Sequence, residues 1–332
     1  MKAAVIGLGY WGPNLVRNFL SNGEIKSVIC CDNNPARLKL INEKFPAAII
    51  TNSYSGILKD KSVDIVVIAT PVDTHYQLAK EALQNGKHIW VEKPFTAKSK
   101  QAEELIKLAD KHDLKIFVDH TFIYNGAVKK IKELTVAGEL GDIIYFDSVR
   151  VNLGLFQHDI NVIWDLAPHD LSIMSYILDA KPIAVSANGI ANYSKYENVA
   201  HLSVYFDNNT FAHFHVNWTS PVKIRRMIVG GNKKMLVFDD MENSEKIKVY
   251  DSGVEITTQE GIYDALVQYR IGDMYSPKVN QTEALNLGVK EFLASIKEDR
   301  QPLTNGVEGL KVVKILEASD ESIKRKGKLI SL

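Results

Sequence analysis

The tightest constraint on this fold lies in residues 3–12. An apolar run, Ala3–Ile6, has the length of a strand and stops at Gly7-Leu8-Gly9-Tyr10-Trp11-Gly12, after which a helical pattern covers Pro13–Asn22. Three glycines at this G-x-G-x-x-G spacing allow a tight turn, bring backbone N–H groups close to a diphosphate and let the helix pack against the strand. The helix N-terminus then favours the negative charge. A second apolar run, Ser27–Cys31, ends at Asp32, twenty positions after Gly12. Its carboxylate could accept hydrogen bonds from ribose hydroxyls; standing alone before Asn33-Asn34-Pro35 it would read as a solvated turn residue. Strand, glycine turn, helix, strand and acid in this order make Gly7, Gly9, Tyr10, Trp11, Gly12 and Asp32 a candidate dinucleotide site. Asp32 would repel a 2′-phosphate, so NAD is expected rather than NADP. Arg37, in the next turn, pulls the other way, because it could bind a phosphate or stack on adenine.

The same alternation continues. Ser27–Cys31 precedes helical Pro35–Phe45, Ile65–Ala69 precedes Thr74–Gln84, His88–Val91 precedes Ser99–His112, and Lys115–Val118 follows. Apolar strands separated by helices predict βαβ units and a doubly wound parallel sheet. Beyond about residue 140 the texture changes. Ile143–Asn152, Ile183–Asn192, Ala200–Phe206, Thr210–Trp218, Arg225–Gly230, Lys234–Asp239 and Lys246–Asp251 read as strands, some joined by short turns such as Asp207-Asn208-Asn209. That predicts a large, mostly antiparallel sheet. One helix, Leu166–Leu178, interrupts it, and helices return at Glu283–Asp299 and Val307–Arg325. The expected division is therefore α/β: a Rossmann domain over 1–121 and an α+β substrate and oligomerisation domain over 122–332. The last helix should pack back near the first domain, and Asp119-His120-Thr121 should leave the sheet to pass over the cofactor.

At 332 residues the chain exceeds what one core usually serves, which agrees with two domains. Lys plus Arg and Asp plus Glu both number 40, a balance that gives a nucleic-acid partner no basic face. The cysteines, Cys30 and Cys31, are adjacent, with neither zinc-site nor disulfide spacing, which suggests a reduced, cytoplasmic setting. The opening apolar run is too short for a signal segment, and no stretch approaches a membrane span. His213 and His215 share a strand face, but no carboxylate or cysteine stands at ligand spacing from them, so no metal is expected.

Two further stretches carry chemistry: ATPVDTHYQLAKEAL, residues 69–83, and WVEKPFT, residues 90–96, at the end of a predicted parallel strand. Taken with the glycine turn, Thr70-Pro71 with His75, Glu92-Lys93-Pro94, and WDLAPHDLSI at 164–173, they make the whole chain resemble the Gfo/Idh/MocA family of oxidoreductases. The resemblance implies that Thr70, Pro71, His75 and Glu92 belong to the cofactor site. It places Lys93 beside the nicotinamide and the reacting carbon, with Lys93–Pro94 cis, and it matches Asp165 and His169 to an Asp and a His four apart. Oxidising a secondary alcohol removes a hydride and a proton. Histidine, unperturbed near ~6.5, suits as the base, and Lys93 could stabilise negative charge developing on the oxygen or relay the proton. Asp165 and His169 at i and i+4 would share a face at the helix start, with Pro168 tolerated in the first turn. Singly, Asp165 would read as a helix cap and His169 and Lys93 as surface residues; their joint occurrence carries the catalytic reading. Glu92 reads as support for the loop or the nicotinamide ribose.

GLGYWGPNLVRN and RVNLGLFQHDINVIWDLAPHDL resemble the family branch that oxidises nucleotide sugars for polysaccharide biosynthesis, UDP-N-acetylglucosamine at C3 among them. Tyr124, Asn125, Arg150, Asn152 and Gln157 could hold a sugar diphosphate beside Lys93, Asp165 and His169, or be ordinary strand and loop residues. Reduction of a 3-keto dTDP-sugar with NAD(P)H, oxidation of a free sugar or inositol, and a non-catalytic NAD-binding regulator stand as alternatives. Val204, Phe206, Phe211 and Phe214 are expected to form an open apolar sheet face, covered in a homodimer or homotetramer.

Overall fold

The computed structural model describes residues 1–154, 156–256 and 267–332. The chain divides into two compact units, Met1–Tyr124 with Thr282–Lys314, and Asn125–Gln281 with Ile315–Leu332. A single cut after residue 121 does not describe this, because residues 282–314 belong with the N-terminal unit.

The elements of the first segment are β1 (Lys2–Ile6), α1 (Gly12–Leu20), β2 (Ser27–Cys31), α2 (Pro35–Lys44), β3 (Ile49–Thr51), α3 (Tyr54–Lys59), β4 (Ile65–Ile68), α4 (Val72–Gln84), β5 (His88–Val91), α5 (Ser99–Lys111) and β6 (Ile116–Val118). The strands pair in parallel in the order β3-β2-β1-β4-β5-β6. The order reverses between β1 and β4, the place where such sheets open a ligand crevice at their carboxyl ends. Strands β1, β2, β4 and β5 are apolar along almost their whole length because both faces are covered. Trp90 of β5 stacks on Phe117 of β6 with ring centroids 3.8 Å apart.

The second segment follows with α6 (Gly126–Val136), β7 (Ile143–Leu153), α7 (Val162–Ile177), β8 (Pro182–Ile190), β9 (Val199–Phe206), β10 (Phe211–Asn217), β11 (Thr219–Gly231), β12 (Met235–Asp239), β13 (Ile247–Ile256) and β14 (Val267–Tyr275); then come α8 (Ala284–Lys297), α9 (Gly306–Lys324) and β15 (Ile330–Ser331). Leu285, Val289, Phe292 and Leu293 of α8 complete the core of the N-terminal unit. The large sheet runs β14-β13-β12-β11-β7-β10-β9-β8-β15, antiparallel except where β7 lies parallel to β10. Helix α7 packs on β10, β7 and β9. Strand alternation divides the residues expected on the open face: Val204, Phe206 and Phe214 point to the buried side, and only Phe211 points outward, against Tyr205 at 5.3 Å. Helix α7 also begins earlier than its sequence suggests. Asn161 caps it by accepting the Trp164 N–H at 3.1 Å, so Pro168 lies inside the helix and Asp165 is not the cap. Among the described residues no helix is long and apolar enough to cross a membrane.

Candidate active site

The glycine turn is built from three different demands. Gly7 sits at φ +91°, and a Cβ there would lie 2.6 Å from the Ala69 carbonyl oxygen. A Cβ on Gly12 would lie 2.3 Å from the Gly7 oxygen, so the entry to α1 closes onto the turn. Gly9 differs: a Cβ there meets nothing within 4 Å. Its backbone faces open space just ahead of α1, and it is followed by an exposed Tyr10 and Trp11. This is the cradle a diphosphate requires, and the residues present fit the cofactor.

Asp32 stands at the end of β2, buried to 9 % exposure. Its Oδ2 accepts the Leu8 N–H at 2.8 Å and its Oδ1 the Asn34 N–H at 2.8 Å, while the Arg37 guanidinium lies 3.5 Å away. The carboxylate therefore shapes the glycine turn from below, and its remaining lone pairs suit ribose hydroxyls. Arg37 is half-exposed and partly neutralised by this carboxylate.

Thr70 and Pro71 follow β4 against Gly7, and the Thr70 and Thr74 hydroxyls lie 2.6 Å apart. His75 does not face a ligand. It is buried, with Nε2 2.8 Å from the Thr70 carbonyl and Nδ1 3.0 Å from the Pro94 carbonyl. Burial pushes it below the usual histidine range. It joins the loop after β4 to the loop after β5, and so bears on the cofactor only through those loops. The Lys93–Pro94 bond is cis.

In the other unit, α7 is buried almost throughout, but Asp165, Leu166 and His169 form a part-exposed stripe. The i, i+4 spacing puts both polar groups on it. Trp218, itself 1 % exposed, donates its Nε1–H to Asp165 Oδ2 at 2.9 Å and fixes that carboxylate. At the helix start Asp320 accepts from Asn161 and from Trp164 Nε1, both at 2.9 Å. Sequence reading missed Trp218 and Asp320, since neither stands in a motif.

Three expected substrate contacts are spent elsewhere. The Tyr124 ring is buried against Phe117 with its hydroxyl 3.1 Å from Thr304 Oγ1. Arg150 is 4 % exposed and forks onto Asp170, Nε to both carboxylate oxygens at 2.9 and 3.0 Å and Nη2 to Oδ1 at 2.5 Å. Asp170 also accepts from Ser148 at 2.9 Å. Asn125 caps α6 by accepting the Ala127 N–H. Each side chain has a polar tip, but a partner distant or local in sequence uses it. Asn152 and Gln157 stay half-exposed. His201, His213 and His215 stack on the outer sheet face, the first and last with centroids 4.4 Å apart; among the described residues no cluster of ligating side chains is arranged to hold a metal ion.

A 3-2-1-4-5-6 parallel sheet with an open-backed glycine turn and an acid at the end of β2 defines an NAD-binding oxidoreductase domain. Residues 1–120 match the oxidoreductase family with the NAD-binding Rossmann fold, and residues 128–237 match the Gfo/Idh/MocA C-terminal domain, so the chain belongs to the Gfo/Idh/MocA family. It is 26 % identical over 317 residues to the UDP-N-acetylglucosamine 3-dehydrogenase of Acidithiobacillus ferrooxidans, covering 94 % of each chain. A solved structure of that enzyme superposes with a TM-score of 0.80 at 25 % identity, covering 98 % of each. The chain is 24 % identical over 350 residues to the NADP-dependent scyllo-inositol 2-dehydrogenase of Bacillus subtilis, covering 98 % of this chain and 94 % of that one. An Agrobacterium radiobacter oxidoreductase solved with NAD, L-tartaric acid and magnesium shares the fold at TM-score 0.83 and 18 % identity, covering 100 % and 98 %.

Proposed function

We propose that the protein oxidises a secondary hydroxyl of a sugar, at C3 of a nucleotide sugar of the UDP-N-acetylglucosamine type. The observation that carries this reading is the Asp165–His169 stripe, two polar groups left part-exposed in the first half of a largely buried helix, with one of them anchored by Trp218. Bound NAD supplies the hydride acceptor. Gly9 and the α1 N-terminus receive its diphosphate, and Asp32 its adenosine ribose. Lys93 donates a hydrogen bond to the reacting oxygen, where negative charge develops as the C–H bond breaks. An imidazole nitrogen of His169 takes the hydroxyl proton, and Asp165, held by Trp218, orients the sugar or the ring. The end-to-end likeness to a UDP-N-acetylglucosamine 3-dehydrogenase supports the substrate class.

The test is to supply NAD with UDP-N-acetylglucosamine, and separately with scyllo-inositol, and to follow the absorbance of the reduced nicotinamide. Turnover with the nucleotide sugar is expected. Turnover with inositol alone would move the protein to the free-polyol reading that the NADP-dependent relative represents. The part-exposed Tyr205–Phe211 pair on the outer sheet face supports self-association into a homodimer or homotetramer there. Light scattering at micromolar concentration should give a mass above that of one 37.2 kDa chain.

A further inference from the structure

The groups named so far leave a pair of acids unexplained. Glu92 follows β5 and Asp119 follows β6, each one residue beyond the paired Val91 and Val118, and the Asp119 N–H donates to the Val91 carbonyl at 2.8 Å, so the two carboxyls leave adjacent strands side by side. A carboxylate has no proton to donate, so two such groups can hydrogen-bond to each other only where the pair holds one. The surroundings favour that state. Glu92 Oε1 is closed off from solvent with no hydrogen-bond partner, and Asp119 is 1 % exposed. Burial, and then the neighbouring Asp119 charge, hold Glu92 well above the usual carboxylate range.

Each carboxyl also reaches a different part of the cofactor unit. Glu92 directly precedes Lys93 in the chain. Trp11, in the glycine turn, donates its Nε1–H to Asp119 Oδ2 at 3.4 Å, and the Thr121 hydroxyl donates to Oδ1 at 2.6 Å. Trp11 belongs to the turn after β1, and β4 and β5 lie between that strand and β6. A single proton thus completes a run of contacts across the carboxyl end of the sheet, from the glycine turn to the lysine loop. The other ionisable groups facing the pair are Lys93, the buried Tyr124 phenol and His120. His120 is 1 % exposed with neither ring nitrogen hydrogen-bonded, and burial with the Lys93 charge pulls it down to about 3, so it stays neutral and cannot take the proton.

We infer that the proton shared by Glu92 and Asp119 is a clasp that holds the Lys93 loop at a fixed spacing from the glycine turn, making both carboxyls positioning residues for cofactor and lysine. This rests on reading the unit as the cofactor domain. The sign of its pH dependence follows from linkage. A carboxyl raised in the folded state contributes fully below the ordinary carboxylate range, and its contribution is lost as pH rises through its folded value, when two adjacent anions push apart.

Glu92→Gln tests this, because its amide N–H can donate to Asp119 at any pH and has no proton to lose on titration. Binding of NADH, followed by its fluorescence from neutral to alkaline pH, should weaken with rising pH in the wild type and stay flat in E92Q. Glu92→Ala should weaken binding about tenfold at neutral pH, the cost of a hydrogen bond to a charged group. Infrared difference spectra should show a protonated-carboxyl C=O band in wild type that E92Q lacks. The clasp is overturned if that band is missing from wild type, if E92Q follows the wild-type pH curve, or if folded E92A binds NADH as wild type does. Should E92A not fold, E92Q and the infrared band decide. A wild type that binds no NADH at any pH would instead sink the cofactor reading, while the band would still report the proton.

Discussion

The cofactor end of the protein and the helix carrying Asp165 and His169 place their reactive groups by opposite means. Around the glycine turn the shape is made by backbone. Gly7 and Gly12 are where they are because a Cβ would collide with carbonyl oxygens, and Asp32 and His75 spend their polar atoms on neighbouring loops. On α7 the shape is made by side chains. The helix would exist with other residues at 165 and 169, and what matters there is which side chain stands on the exposed stripe and what holds it. The first kind of site tolerates few substitutions and keeps its ligand. The second could change its chemistry while the fold persists.

Five substitutions would break or sharpen this contrast. The largest effect is expected from removing the groups proposed to handle the proton. Lys93→Ala and His169→Ala should each lower kcat by about 10²–10⁴-fold. NAD affinity, measured by titration, should be nearly unchanged in H169A and weakened in K93A; equal weakening in both would erase the distinction. Next is Asp170→Ala, which leaves the Arg150 guanidinium buried without its carboxylate and should cost about 3–5 kcal/mol in urea unfolding. Loss of activity at full stability would return Arg150 to the substrate. Asp32→Ala removes the proposed ribose contacts together with the turn's internal acceptor, and releases Arg37. NAD should weaken by about tenfold and the gap to NADP should narrow, read by titrating both cofactors. Equal wild-type affinities for the two would refute the role given to Asp32. The smallest effect belongs to Trp218→Phe, which removes one hydrogen bond to Asp165 and should lower kcat/KM by a few-fold up to about tenfold with NAD affinity intact.

How legible each part was in the sequence follows from the same contrast. Strands β1, β2, β4 and β5 are buried on both faces, so they are continuous apolar runs that declare themselves. Strand β3 and helix α3 are short and only partly covered, and they carry no such signal. The true start of α7 was hidden because Asn161 is followed by Val-Ile-Trp, an unbroken apolar run rather than a helical alternation, and because Pro168 reads as a first-turn residue. Candidate contacts failed where tertiary partners intervene: nothing near Tyr124 announces Thr304, and nothing near Arg150 announces Asp170. The side-by-side placement of Glu92 and Asp119 needed knowledge that β5 and β6 are neighbours, which a motif does not carry. Asp165 and His169 were legible as a pair because helical geometry alone puts i and i+4 on one face.

The empty space over Gly9 has a consequence for any attempt to silence the protein. Because its backbone is not in the left-handed region and a methyl group would touch no atom of the chain, Gly9→Ala should melt at the wild-type temperature. The added carbon would instead stand where the diphosphate must approach, a competitor built into the chain and present at unit stoichiometry that no excess of cofactor can wash out. Evolution or an engineer could thus switch off the chemistry with one atom while preserving the folded body as a scaffold, a ligand-free decoy of its own enzyme.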